Sequence, residues 1–396
     1  MRGRIGLLAL PLLLAACASS APPALPLTDE ARAAAAFAST DVAADFDPAW
    51  WQAQGDATLQ ALVTEARRAN LDWRLAVTRV DEARAGSRAA ASRLAPTVAL
   101  DATASNERSG LPDVVKRNAP DTRALRAALD LGWEIDVFGA ARAAADAARL
   151  DADAAAEGAE AARLLAAGET ARQYIMWQGA RARLAQLEAL LQAQADTERL
   201  TRSREAAGQA SRFDVARAAA ETQVLAAQLP PLRALVSTTE QQIATLLGRS
   251  PSRPVAELQV AGAPALPALA PLAPGQPAQL LARRPDVRAA ERQLLAAGAR
   301  LREARADLLP RFFLAALFGR QDLRLNGLDL APVGYSNVAL AFSLPLFNAG
   351  RLRAAQDLAS ARERAAALQL ERSVLGALQE VESSLVALAR ERERAI

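Results

Sequence analysis

Residues 125–149 read LRAALDLGWEIDVFGAARAAADAAR, and their period changes in the middle. Leu125, Ala127, Leu129, Leu131, Trp133, Ile135 and Val137 fall on one side of an alternation, with Arg126, Asp130, Glu134 and Asp136 on the other. A period of two over this length predicts a β-strand with one apolar and one charged face. After Phe138 and Gly139 the pattern becomes that of an Ala-rich helix, with Arg142, Asp146 and Arg149 at helical spacing. A strand that feeds directly into a long helix leaves few folds open. The same event recurs at residues 338–362, VALAFSLPLFNAGRLRAAQDLASAR.

The helix that begins at Gly139 meets no proline before Arg204, about 66 residues on, or roughly 100 Å at 1.5 Å per residue. No globular core is that long, so it belongs to a coiled coil, a tube or a stalk. Leu184, Leu187, Leu190 and Leu191 supply an apolar seam. Gly208 to Ser211 marks a reversal, with Ser211 or Asp214 as the next helix cap. The return helix carries Val215, Val224 and Leu225, is expected to kink or break at Pro230-Pro231, and stops at Gly248.

Upstream of the organising strand, residues 56–94 read as helix, interrupted by capping chemistry at Asn70-Leu71-Asp72. Pro96 breaks the helix, residues 97–107 alternate as a strand, and residues 108–121 form a loop. Residues 250–277 are a linker rich in Pro, Ala and Gly, after which the chain starts over. Asp286 lies 214 positions after Asp72, and Pro310 lies 214 after Pro96. Phe312, Leu314, Ala316 and Phe318 alternate, a loop follows through Asn326-Gly327, and residues 338–346 are the twin strand. This is an internal duplication of helix, strand, strand and long helix.

The N-terminus, MRGRIGLLALPLLLAACASS, has the basic start and apolar core of a signal peptide. Its end, Leu14-Ala15-Ala16-Cys17, resembles a bacterial lipobox, which implies a lipid on Cys17, the only cysteine among 396 residues. Ala18 in the next position implies sorting to the outer membrane. The expected boundaries are a signal peptide at 1–16, a lipidated tether at 17–48, a first repeat at 49–248, a linker at 249–278 and a second repeat at 279–396. The net charge is only +3, with Arg scattered among Asp and Glu on helix faces, which argues against nucleic acid. His is absent, so neither His-based acid–base chemistry nor a His-built metal site is available. No cofactor is expected beyond the lipid on Cys17.

Each repeat offers two strands of the length that crosses a bilayer when tilted. Four strands cannot close a barrel, and an open edge in hydrocarbon leaves backbone N–H and C=O groups unpaired. Several chains must therefore share one barrel, and the helices that leave its rim must form a tube of their own.

The residues resemble the outer-membrane factors of tripartite efflux systems, the TolC-like proteins, in the NodT-type lipoprotein branch. The resemblance rests on Trp50-Trp51 followed by Asp56, Leu59, Leu62 and Ala66, on WEIDVFG at 133–139, and on RRPDVRAAE at 283–291. LFNAG at 346–350 and QEVE at 379–382 complete it, and it covers nearly the whole mature chain. It implies a mainly helical protein with membrane β-structure, a barrel shared between protomers with four strands per chain, and a periplasmic helical barrel. It implies a homotrimer in the outer membrane of a Gram-negative bacterium, a periplasmic adaptor as partner and an inner-membrane efflux pump behind it. Gly208, Ala210, Ser211, Asp214 and Val215 match the family's adaptor-docking tip, although Ser211 and Asp214 also suffice as plain helix caps. Arg126, Asp130, Glu134 and Asp136 are the candidates for charges facing the lumen, and equally suit a solvated polar face.

The second repeat departs from this pattern. From Phe138 to Leu247 there are 109 positions, and from Phe347 to Ile396 only 49. About 60 residues are short of the resemblance, the length of a second return helix and its tip, so intact strands and an incomplete tunnel are expected. The function expected is passive export, with a non-conducting structural lipoprotein or a truncated remnant of such a channel as the alternative. A periplasmic adaptor would lack paired strands of membrane length. An enzyme is not expected, because no nucleophile–base pair, phosphate loop or metal cluster stands out.

Overall fold

The computed structural model describes residues 25–33, 37, 49–108, 110, 112, 114, 121–260, 275–325 and 328–394. Cys17, the signal peptide, most of the 108–121 loop, Asn326-Gly327 and linker residues 261–274 lie outside them.

Helices α1 (Pro26–Ala33), α2 (Ala57–Ala69) and α3 (Leu71–Ser92) precede strands β1 (Thr97–Glu107) and β2 (Thr122–Ile135). Then come α4 (Ala140–Ala206), α5 (Arg212–Ala226), α6 (Leu229–Leu246) and the short α7 (Ala256–Val260). The second half holds α8 (Pro277–Arg283), α9 (Pro285–Ala306), β3 (Arg311–Leu325), the two-residue β4 (Leu328–Asp329), β5 (Val333–Ser343) and α10 (Arg351–Arg394). The duplication is visible in the elements. Helices α3 and α9 are both 22 residues long and start 214 positions apart, as β1 and β3 do.

The elements fall into two compact units, and each takes segments from both halves of the chain. The first comprises Met1–Ala33, Ala83–Ala152 and Ala290–Ala377, and its centre is one antiparallel sheet. In space the strands run β1–β2–β3–β5, with β4 a short ladder on the end of β3. Register fixes the faces, because paired residues point to the same side. One face carries Leu125, Leu129, Leu131 and Trp133 of β2 beside Val98 and Leu100 of β1, Leu314 and Phe318 of β3, and Val338 and Leu340 of β5. Val98, Leu100, Val338 and Leu340 are 64–74% exposed there, an apolar surface without cover in a single chain. The other face carries Arg126, Asp130 and Glu134.

Three boundaries differ from the sequence reading. The last strand is Val333–Ser343 rather than 338–346, because Pro345 has no N–H to pair and ends the ladder before the apolar run does. The return helix breaks at Ala227 and Gln228, ahead of the prolines. Pro230 and Pro231 lie in the first turn of α6, where a missing N–H has no intrahelical partner to lose. The tether is also helical over Pro26–Ala33, with Asp29 in its first turn and Arg32 in its last. Arg32 pairs with Glu291, the Leu27 amide donates to Glu371, and Thr28 and Ala31 are buried.

The second unit comprises Ala34–Glu82, Asp153–Ala289 and Leu378–Ile396. Its core joins Trp51 and the buried face of α2 (Leu59, Leu62, Val63, Ala66) to Ala167, Ala171, Tyr174 and Trp177 of α4. Ile243, Ala244 and Leu247 close it from the end of α6, with Val255 and Leu258 beneath. The long helix α4 belongs partly to each unit.

Candidate functional site

Three places carry the features that the sequence singles out: the charged face of the sheet, the step from strand to helix, and the tip of the helical hairpin.

On the sheet, Arg126 and Asp130 are exposed and Glu134 is half-buried, all on the face opposite the apolar one. Their paired neighbours are small or polar in part: Thr103 and Gln321 beside Arg126, Ala99 and Leu317 beside Asp130. Glu134 lies 3.7 Å from Arg311, the first residue of β3.

Asp136 follows the end of β2 and serves the start of α4. Its carboxylate accepts hydrogen bonds from the amides of Ala141 (3.1 Å) and Arg142 (3.0 Å) and from Arg142 Nε (2.9 Å). Those amides are among the ones that a helix start leaves without partners. Burial works to raise the Asp136 pKa, but the bonds from Arg142 and Ala141 outweigh it and hold the carboxyl below its ordinary range. Gly139, at φ +82°, lets the chain turn from strand direction to helix direction. Gly350, at φ +83°, does the same before α10, where the Asn348 side chain accepts from the Leu352 amide at 3.3 Å. Arg142, which grips both the Asp136 carboxylate and its carbonyl oxygen, was absent from the sequence candidates. Its spacing of six after Asp136 was the available signal.

At the tip, α4 ends on Gly208 at φ +73°, whose amide donates to the Glu205 carbonyl (2.9 Å), while Gln209 donates to Arg204 (2.8 Å). This is a Schellman closure. Ser211 and Asp214 then form a reciprocal capping box, with the Asp214 amide donating to Ser211 Oγ (3.1 Å) and the Ser211 amide donating to the Asp214 carboxylate (2.9 Å). The bond to Ser211 holds the Asp214 carboxyl below its ordinary range. Gly208, Ser211 and Asp214 are exposed, and Ala210 and Val215 half-buried. Between them stands Phe213, 73% exposed. It is not among the residues that match the family's docking tip in the sequence. Its signal is an aromatic two positions after the Ser211 cap, in a chain with only 4% aromatics.

At the other end of the return arm, the Asn70 side chain accepts from the amides of Asp72 (2.9 Å) and Trp73 (3.1 Å) and donates to the Leu246 carbonyl (3.0 Å). Nearby, Tyr174 Oη donates to Asp56 (2.8 Å), whose other carboxylate oxygen caps α2 through the Leu59 amide. Burial, then the Asp56 carboxylate, pushes the Tyr174 phenol up to about 12.

A sheet with an apolar outer face, a polar inner face and hairpins that run on into long helices defines a segment of pore wall from the outer membrane. The family model described as "Outer membrane efflux protein" matches residues 62–249 and 277–395, and the chain belongs to that family. Nodulation protein T of Rhizobium leguminosarum bv. trifolii is 31% identical, over 96% of this chain and 80% of that protein. The pyoverdine export outer membrane protein OpmQ of Pseudomonas putida is 33% identical over the same shares. Among solved structures, the outer-membrane channel OprN is 29% identical and superposes with a TM-score of 0.84, over 95% of this chain and 83% of that one. The protein is an outer-membrane channel component of tripartite efflux systems with a TolC-like fold, and it is not an enzyme.

Proposed function

We propose that the chain works as a homotrimer whose twelve strands close one barrel, anchored by lipid on Cys17 and docked at its hairpin tip to a periplasmic adaptor and, through it, to an inner-membrane pump. The observation that carries this is the open sheet. Among the described residues β1 pairs only with β2, and β5 only with β3 and no strand beyond it. Each outer edge presents a row of N–H and C=O groups that hydrocarbon cannot satisfy, so each must meet a strand of another copy. Conduction is passive. Arg126, Asp130 and Glu134 line the lumen, and Asp136 stands at its periplasmic rim.

The adaptor reads the surface of Gly208, Ala210, Ser211, Asp214 and Val215, with Phe213 as its apolar anchor. A buried aromatic is the usual dominant contact in such an interface. Some relatives are named for pyoverdine export and others for toluene efflux, so cargo choice rests with the pump rather than with this wall.

Light scattering of the detergent-solubilised protein should give three copies, and planar bilayers should show discrete single-channel steps. A monomer without conductance would overturn the reading in favour of a structural lipoprotein. Labelled palmitate should enter the wild-type chain and not Cys17→Ala. Phe213→Ser should leave conductance alone and abolish retention of the adaptor.

A further inference from the structure

One row of residues crosses the whole sheet. Asp101 of β1 pairs with Ala128 of β2, Ala128 with Gly319 of β3, and Gly319 with Tyr335 of β5. The row lies on the face that carries Arg126, Asp130 and Glu134, opposite the apolar one.

Gly319 is not there for its backbone, since its φ is not among the positive ones. Space is the reason. A Cβ at this position would stand 2.7 Å from Tyr335 Cζ and 2.8 Å from its Oη, closer than side-chain atoms approach. The phenol end of Tyr335 therefore occupies the volume directly above Gly319. The ring reaches across to the neighbouring strand instead of standing off the wall, and it is half-buried. Ala128, on the far side of the glycine, is only 7% exposed. A ring laid over a glycine in the paired strand covers backbone that no side chain protects.

Resting on the reading of this face as the lumen wall, we propose that Gly319 is the seat of Tyr335, and that the pair sets the clearance of the lumen at this level. With the seat empty of a side chain, the largest residue of the row lies along the wall and leaves the passage free. Filling the seat turns the ring up into the path of solute. Gly319 and Tyr335 are thus positioning residues for transport, distinct from the charged candidates on the same face.

The decisive experiment is a double-mutant cycle on the full chain, read as single-channel conductance in planar bilayers. Gly319→Ala should lower the unitary conductance, Tyr335→Ala should not, and the double variant should regain what Gly319→Ala lost. An unchanged Gly319→Ala overturns the proposal. So does a loss that persists in the double variant, which would assign the effect to the Ala127 carbonyl oxygen, also 2.8 Å from the added carbon. Should Gly319→Ala fail to assemble, Tyr335→Leu with Gly319 intact decides the matter. In glycine-labelled protein the ring current should displace the Gly319 α-proton resonances upfield, and Tyr335→Leu should return them. Resonances that do not move remove the seat.

Discussion

Gly208 at the hairpin tip and Gly248 at the far end of the return arm have nearly the same backbone, φ +73° and +68°. Each closes its helix with the same pair of bonds: Gly208 to Glu205 and Gln209 to Arg204 at the tip, Gly248 to Thr245 and Arg249 to Ala244 at the joint. Their surroundings are opposite. A Cβ on Gly208 would meet nothing within 4 Å, whereas one on Gly248 would stand 2.6 Å from the Ala69 carbonyl oxygen. One turn device thus does two jobs. At the tip it leaves the turn free to face a partner. At the joint it lets α6 close onto the end of α2, where Asn70 ties the two together through Leu246.

The comparison breaks if the two glycines respond alike to a methyl group. Gly248→Ala adds left-handed strain and a collision with backbone, which cannot rotate away. It should cost roughly 2–5 kcal/mol, read as a large drop in the thermal midpoint of the full chain by circular dichroism. Asn70→Ala should come next. It removes the cap of α3 and leaves the Leu246 carbonyl without its side-chain donor, together about 2–3 kcal/mol, in the same assay. Gly208→Ala meets only the strain, about 1 kcal/mol. If it equals Gly248→Ala, the packing argument for the joint is wrong.

The two ends also differ in how much of them could be read from the sequence. The tip is local. Gly208, Ser211 and Asp214 lie within seven positions, and a capping box is visible as a spacing. The joint is not local: Asn70 and Leu246 are 176 positions apart, and Tyr174 and Asp56 are 118. Asn70 could be read as a cap, because that part of its chemistry is sequential, while its donation to Leu246 could not. The sheet follows the same rule. Strict alternation gave the faces of β2, and the repeat of 214 gave β3 its place. The end of β5 is not legible in the sequence, because the apolar run continues through Pro345 while pairing stops at Ser343. Parity alone places Asp136 with the candidate lumen-facing charges, and only the turn at Gly139 shows it bonded to the amides of α4.

Ser211 sharpens the comparison from the tip side. Ser211→Ala removes the side-chain acceptor for the Asp214 amide and should loosen the start of α5 by about 1 kcal/mol, with little change at the joint. Amide hydrogen exchange by mass spectrometry should show faster exchange at 212–215 and unchanged exchange at 243–249. Acid should produce the same local fraying in the wild-type chain. The Asp214 carboxyl titrates below its ordinary value because it bonds to Ser211, so its contribution is complete above the ordinary aspartate range and is lost as pH falls through the lowered value. At the joint, Glu257 is likewise held low by Arg249, yet acid leaves the Asn70 amide and the Gly248 turn in place. Faster exchange should therefore appear at the tip first as pH is lowered through the aspartate range and below it, measured with the intrinsic pH dependence of exchange divided out. Simultaneous loss at both ends would mean that the joint depends on its ion pair more than on Asn70 and Gly248.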